Sequence, residues 1–327
     1  MKPTIHDVAR LSGVSTGTVS RVLNNKPSVN PITRERVKSV VKQLGYVPES
    51  AARDLSTGNR LTIGIHLAEG THRLTPFSLL FFQAVMRKTL GIESRVVDLP
   101  SKSDGLPVTN VDGMILLGAH KGDPRIEYLE SQHIPYVLVG HDIGRCWVAP
   151  DDYDGGRQVA KYLTDCGHKH ILFVSFRLDF QNIMDRLRGF SDMLESVGCT
   201  LSDSQIISEV DTPLDAYRKF SIFIREHPEE MERTTAVFAC SDEIAVGVKA
   251  ALHDNGYSIP RDVSLVGFDD MPELSDGLTT VHQDIPTIAS IAIELLHDQI
   301  LGKAPGTRIL PVQLVVRRST GINLHSK

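Results

Sequence analysis

Gly13-Val14-Ser15-Thr16-Gly17 matches Gly-x-Ser-x-Gly, the sharp turn on which hydrolases expose a nucleophilic serine. That turn needs a buried strand before it and a long helix after it, and the flanking residues offer neither. Ser15 therefore reads as a helix cap. His168 and His170 form a His-x-His pair that a metal could use from one face of a strand, but no third ligand stands nearby, so the pair reads as structural. Cys146, Cys166, Cys199 and Cys240 are widely spaced, which argues against both a disulfide framework and a zinc site. No phosphate loop or assembled nucleophile is present, so an enzyme is not expected. The remaining chemistry is recognition. Arg21, Thr16, Thr18 and Ser20 carry donors suited to base edges, and Arg21 can bond a guanine bidentately.

Those side chains need a short rigid helix. Ile5, Val8 and Ala9 mark one face of a first helix, Gly13-Val14 turns the chain, and Ser15 caps a second helix running to about Leu23. Asn30-Pro31 opens a third, with Val37, Val40, Val41 and Leu44 facing inward and Gly45 at its end. Two short helices joined by a glycine turn, closed by a third, form a helix-turn-helix. Its second helix enters the major groove N-terminus first, presenting Ser15, Thr16, Gly17 and Thr18, with Ser20 and Arg21 one turn on. Gly17 offers no side chain there.

Charge agrees. Residues 1–60 hold ten Lys/Arg and four acids, +6, against a net −5 for all 327 residues, so the remainder carries −11. A basic head on an acidic body suits a polyanion bound by the head alone. No apolar run approaches a membrane span, and the polar start has no signal-peptide core, so a cytoplasmic location with no membrane partner is expected.

The run Thr4-Ile5-His6-Asp7-Val8-Ala9, then Gly13-Val14-Ser15, then Thr18-Val19-Ser20-Arg21-Val22-Leu23-Asn24 resembles the N-terminal signature of the LacI/GalR family of bacterial transcriptional regulators. Leu44-Gly45-Tyr46-Val47-Pro48 and Ala51-Ala52-Arg53-Asp54-Leu55 resemble its hinge. The resemblance implies DNA contacts from Thr4, Asn24 and the recognition-helix residues above. It also implies a hinge helix, folding on operator DNA, that brings Ala52 and Leu55 to the minor groove, with Leu55 as the wedge that kinks the duplex. Glu49 stands where the family has a small polar residue.

From Leu61 onward short apolar strands alternate with helical stretches, the pattern of βα units around parallel sheets. Strands are expected at 61–65, 95–97, 113–117, 136–139, 171–174, 236–239, 264–268 and 279–282. Helices are expected near 78–90, 154–166, 183–197, 214–226, 244–255 and 285–301. The resemblance implies a periplasmic-binding-protein-like core of two Rossmann-like subdomains. The domains are then 1–46 (helix-turn-helix), 47–59 (hinge) and 60–327 (effector binding and dimerisation). Within the last, the N-subdomain takes about 60–156 and 285–311, and the C-subdomain about 157–283 and 312–327.

Family segments recur here, and they imply effector contacts. Arg186-Leu187-Arg188-Gly189-Phe190 assigns Arg186; Cys240-Ser241-Asp242-Glu243-Ile244-Ala245-Val246-Gly247 assigns Ser241; Gly267-Phe268-Asp269-Asp270 assigns Asp269; Thr75-Pro76-Phe77 assigns Phe77; and Thr279-Thr280-Val281-His282-Gln283-Asp284, which resembles the crossover strand, assigns Gln283. Ser241 replaces the family's usual asparagine before Asp242, and Asp242 itself reads as a helix cap. An arginine fork, a carboxylate and an aromatic face suit a sugar. The expected function is a ligand-responsive repressor of a carbohydrate-utilisation operon: a homodimer on near-palindromic double-stranded operator DNA, with a sugar effector and no cofactor or metal. Only residues 100–111 join the second and third strands, as in a branch near the repressors of β-galactosidase operons, and Gly140 stands where several sugar-responsive members place an acid.

Overall fold

A computed structural model describes residues 4–23, 29–44, 61–68, 75–89, 94–98, 106–107, 110–142 and 144–323. The expected contacts of Asn24, Ala52 and Leu55 lie outside them, as do the hinge and most of the connection between the second and third strands.

The head is three helices, α1 (Ile5–Ser12), α2 (Thr16–Leu23) and α3 (Pro31–Leu44). Thr4 caps α1 in a reciprocal box with Asp7, and Gly13 ends it at φ 61°, a left-handed conformation that glycine adopts at no steric cost. Ser15 Oγ accepts from Thr18 N at 3.2 Å, and Asn30 Oδ1 from Ile32 N at 2.9 Å, so α2 and α3 have the caps their sequences promise. Val8, Val19, Val22, Val37 and Val40 close the core.

The first lobe is a six-stranded parallel sheet in the order β11-β5-β4-β3-β1-β2. Its strands are β1 (Leu61–Leu67), β2 (Ser94–Asp98), β3 (Gly113–Leu117), β4 (Tyr136–Val139), β5 (Trp147–Pro150) and β11 (Thr307–Leu310). Alternation along β3 sends Ile115 and Leu117 to one face, under α4 (Pro76–Thr89) and α11 (Ile285–Ile300). Met114 and Leu116 go to the other, under α5 (Pro124–Gln132).

The second lobe has a parallel sheet β7-β6-β8-β9, made of β6 (Ile171–Val174), β7 (Ile206–Ile207), β8 (Ala236–Ala239) and β9 (Ser264–Val266). An antiparallel pair, β10 (Thr280–His282) with β12 (Gln313–Val315), continues it through bridges from Val266 to Thr279 and Asp269 to His282. Helices α6 (Asp152–Asp165), α7 (Gln181–Ser196), α8 (Pro213–Glu226), α9 (Pro228–Arg233) and α10 (Asp242–Asp254) surround one apolar core. The chain passes between lobes at 150–152, 283–285 and 310–313. Helix α6 runs unbroken through 156, where the sequence reading divides the subdomains, and its first turn packs on the second lobe: a Cβ on Gly155 would lie 2.6 Å from the Phe268 ring. Among the described residues, no helix is long and apolar enough to cross a membrane.

Candidate functional site

A cavity of about 600 Å³ lies between the lobes, at the carboxyl ends of β1, β3, β4, β6, β8 and β9. Open parallel sheets bind ligands there, because the strands end and the loops diverge at that edge. Phe77, Arg186, Ser241, Asp269 and Gln283 all reach its lining.

Two glycines position the floor. A Cβ on Gly156 would come 2.0 Å from Arg186 O, and one on Gly189 would come 1.9 Å from Tyr153 O. Helices α6 and α7 thus touch backbone to backbone, which sets Arg186 beside Asp152. Arg186 Nε donates to Asp152 Oδ1 at 2.8 Å and Nη1 donates to Cys240 O. Nη1 also lies 3.5 Å from Asp269 Oδ1, and the guanidinium carbon sits 3.6 Å from the Phe268 ring centroid. The Arg186–Asp269 ion pair lies within the second lobe, not across the cleft.

Asp269 and Asp270 adopt φ of 111° and 57°, conformations that L-residues with side chains rarely take and that concentrate at functional sites. The turn is held by Asp269 N donating to Val281 O at 2.9 Å and by Gln283 Nε2 donating to Asp269 Oδ1 at 2.6 Å. Gln283 Oε1 is buried with no hydrogen-bond partner among the described residues. Burial lifts the Asp152 carboxyl to about 6, although Arg186 opposes the shift. Burial likewise holds Asp269 well above the usual carboxylate range, again against Arg186.

Asp242 is not the cap of α10. Ser241 is, its Oγ accepting from Ile244 N at 3.2 Å. Asp242, the first helical residue, is fully buried; it accepts from Thr280 Oγ1 at 2.6 Å and Met271 N at 2.7 Å, tying α10 to the β9–β10 turn. The Asp151–Asp152 turn divides its labour. Asp151 caps α6 through Asp154 N, and Asp152 serves Arg186.

The first lobe supplies Phe77, stacked on Phe81 with centroids 6.3 Å apart, and Thr75, which caps α4 through Ser78 N at 3.2 Å. Two histidines of the first lobe reach across the cleft. His120 bridges to Phe180, and His141 Nδ1 lies 3.4 Å from Asp185 Oδ2. Beneath the first of these, buried Arg125 grips Asp123 bidentately and donates to the carbonyls of His66 and Leu117. Burial and the Arg125 charge lower the His66 pKa to about 4, so its ring is neutral at physiological pH. Sequence reasoning missed Asp152 as the Arg186 partner, along with His120, His141 and Asp185. A charged residue 34 positions from its partner leaves no periodic signal.

On the head, Ser15, Gly17 and Arg21 are exposed on α2, while Val19 and Val22 face inward. Thr16, Thr18 and Ser20 are half-buried, and Thr18 Oγ1 lies 2.9 Å from Ser15 Oγ. A Cβ on Gly17 would meet only Ser15 Oγ, at 3.8 Å, so nothing within the head demands glycine. The Thr4 hydroxyl donates to Asp7 Oδ2 at 2.7 Å. Ser15 sits on a helix-turn-helix turn with no strand behind it. Buried His168 bonds Thr235 Oγ1 and Gly321 O, each at 3.0 Å, while His170 is exposed, and neither lies on a strand. No cluster of metal-ligating residues occurs among the described residues.

Two family models match the chain: bacterial regulatory proteins of the lacI family over residues 4–49, and a periplasmic binding protein-like domain over 160–320. The HTH-type transcriptional regulator CelR of Thermobifida fusca is 31% identical over 348 residues, 97% of this chain and 98% of its own. The HTH-type transcriptional repressor PurR of Haemophilus influenzae strain ATCC 51907 is 29% identical over 337 residues, with 97% and 98% covered. Among solved structures, a transcriptional regulator CelR–cellobiose complex superposes with a TM-score of 0.71 at 29% identity, covering 97% of this chain and 99% of that one. A helix-turn-helix head, a two-lobed core and end-to-end similarity to such regulators lead to one conclusion: the chain belongs to the lacI family of bacterial regulatory proteins and is a DNA-binding transcriptional regulator, not an enzyme.

Proposed function

We propose that the chain is a cytoplasmic repressor of a carbohydrate-utilisation operon and that a sugar held between its lobes sets its operator affinity. The observation that carries this reading is the cleft floor. Arg186, Asp269 and Gln283 line it beside Phe77, and Gln283 Oε1 has no partner among the described residues, a set of polar groups and one aromatic face that suits sugar hydroxyls and an apolar sugar face. The likeness to a regulator solved with cellobiose supports the ligand class. A cavity of this size, with Gly140 adding no side chain, favours an oligosaccharide over a single ring.

The mechanism is a population shift. A ligand touching both lobes favours one cleft geometry, and that geometry alters the spacing of two heads in a homodimer. Each head reads half of a near-palindromic site through Ser15, Thr16, Gly17, Thr18, Ser20 and Arg21, flanked by Thr4 and Asn24, while Ala52 and Leu55 reach the minor groove. The test is an electrophoretic shift series on the region upstream of the protein's own gene cluster. Binding should fall steeply as salt rises and should change with a sugar from the adjacent operon. Binding insensitive to salt, or to every sugar offered, refutes it.

A further inference from the structure

Helix α2 presents an uneven set of side chains. Ser15 and Thr18 are occupied with each other: their hydroxyls lie 2.9 Å apart, and Ser15 Oγ also caps the helix through Thr18 N. Val19 and Val22 are buried in the core of the head. Arg21 is exposed and makes no ion pair or hydrogen bond among the described residues. The acids of the described head are spent elsewhere, Asp7 on Thr4 and Arg10 and Glu35 on Lys38.

Gly17 precedes Arg21 by one helical turn and shares its exposed face. Nothing around it requires glycine: its φ is not positive, and an added Cβ would meet only Ser15 Oγ, at 3.8 Å. Glycine is also among the least favourable residues in a helix. Long helical side chains lean toward the N-terminus and cover the turn before their own Cα, so the surface that Arg21 covers is the turn holding Gly17. A side chain at 17 would crowd the arginine stem there, as neighbours one turn apart do. Bare backbone leaves the stem free to lie flat along the helix, toward the end that enters the groove first.

We propose that Gly17 sets operator specificity through Arg21: the bare position lets the guanidinium reach a guanine nearer the N-terminal end of α2, at the base pair that a side chain at 17 would otherwise meet. The inference rests on the reading of α2 as the helix that enters the major groove. It goes further by making residues 17 and 21 one recognition unit, in which Gly17 is a positioning residue that decides which base Arg21 reads.

The full-length chain should first select its site from a pool of random duplexes, and each half of that site should carry a guanine whose preference Arg21→Ala abolishes. Gly17→Val, Arg21→Ala and the double variant then form a cycle on the selected duplex. Gly17→Val should weaken binding at least about tenfold in the parent chain but no more than about twofold in the Arg21→Ala background. Gly17→Ala, a smaller and helix-favouring change, should follow the same pattern at about threefold, and it covers the case in which valine disturbs α2. Equal losses on both backgrounds mean that a side chain at 17 meets the DNA directly; they overturn the proposal and leave the groove reading standing, as does undiminished binding by both position-17 variants. An Arg21→Ala chain that keeps the parent's affinity and base preference overturns both.

Discussion

Arg186 and Asp152, 34 residues apart in sequence, are joined by a 2.8 Å hydrogen bond from Nε to Oδ1 with both side chains almost wholly buried. Each belongs to a helix whose only route to the other is a crossing with no room for a methyl group. The charge pair at the floor of the cleft is therefore a product of two glycines.

Gly189→Ala tests that dependence. The new methyl would lie 1.9 Å from Tyr153 O, so α6 and α7 must part. The variant should lose roughly 2–4 kcal/mol of stability by overpacking. Urea denaturation reads this, and a loss below about 0.5 kcal/mol would show the crossing to be compliant.

Removing the guanidinium should separate two functions. Arg186→Ala leaves Asp152 and Asp269 buried without their cation, at a cost of roughly 3–5 kcal/mol. The loss should be smaller at pH 5 than at pH 8, because acid protonates the abandoned carboxyls. Operator binding should survive in a gel shift at low temperature, with the sugar response gone. A variant that still responds fully places the effector elsewhere.

Asp242 offers a prediction of opposite sign. Burial raises its folded-state pKa to about 7, against 3.8 for the free group. A raised carboxylate pKa means the folded state keeps a proton that the unfolded chain gives up, so stability is lost as pH climbs from about 4 to about 7. Asp242→Asn mimics the protonated form, its amide oxygen able to accept from Met271 N and its NH2 able to donate to Thr280 Oγ1. It should match the parent near pH 4 and exceed it by about 4 kcal/mol above pH 7. Thermal melts across that range decide it; a constant difference at all pH values would mean that Asp242 does not titrate there.

Leu55→Ala addresses the hinge. If Leu55 wedges between base pairs, only the kinked, specific complex uses it. Specific operator binding should weaken at least about tenfold while binding to random duplex changes little, as competition shift assays would show. Equal losses on both DNAs would refute the wedge.

Much of this architecture was legible in the residues. Every expected strand from 61 to 282 has a counterpart, because short stretches rich in apolar and β-branched residues between turns leave few alternatives. Strand β5 escaped notice because Trp147-Val148-Ala149-Pro150 is short and ends in proline. Strand β11 escaped because Thr307-Arg308-Ile309-Leu310 lies at the sheet edge, largely exposed, and so carries no apolar run. Helix α5 is marked by little more than Pro124 and a cap at Asp123. At the site, local motifs led to Arg186, Asp269 and Gln283, but not to what they bond. Only the folded chain shows that Ser241 takes the capping role expected of Asp242, or that one oxygen of Gln283 is left over. Such pairings depend on which loops meet, and loops carry no periodicity.

The three passages between lobes also order the birth of the molecule. The edge strand β11 pairs with β5, and α11 fills the core beneath β1 and β3, so the first lobe lacks a strand and a core helix until residues 285–310 have left the ribosome. The head has an apolar cluster of its own, drawn from residues 5–44. A nascent chain can thus finish its DNA-reading unit long before the lobes that regulate it. Interrupted synthesis would release fragments that carry a folded head without the two-lobed core that regulates it.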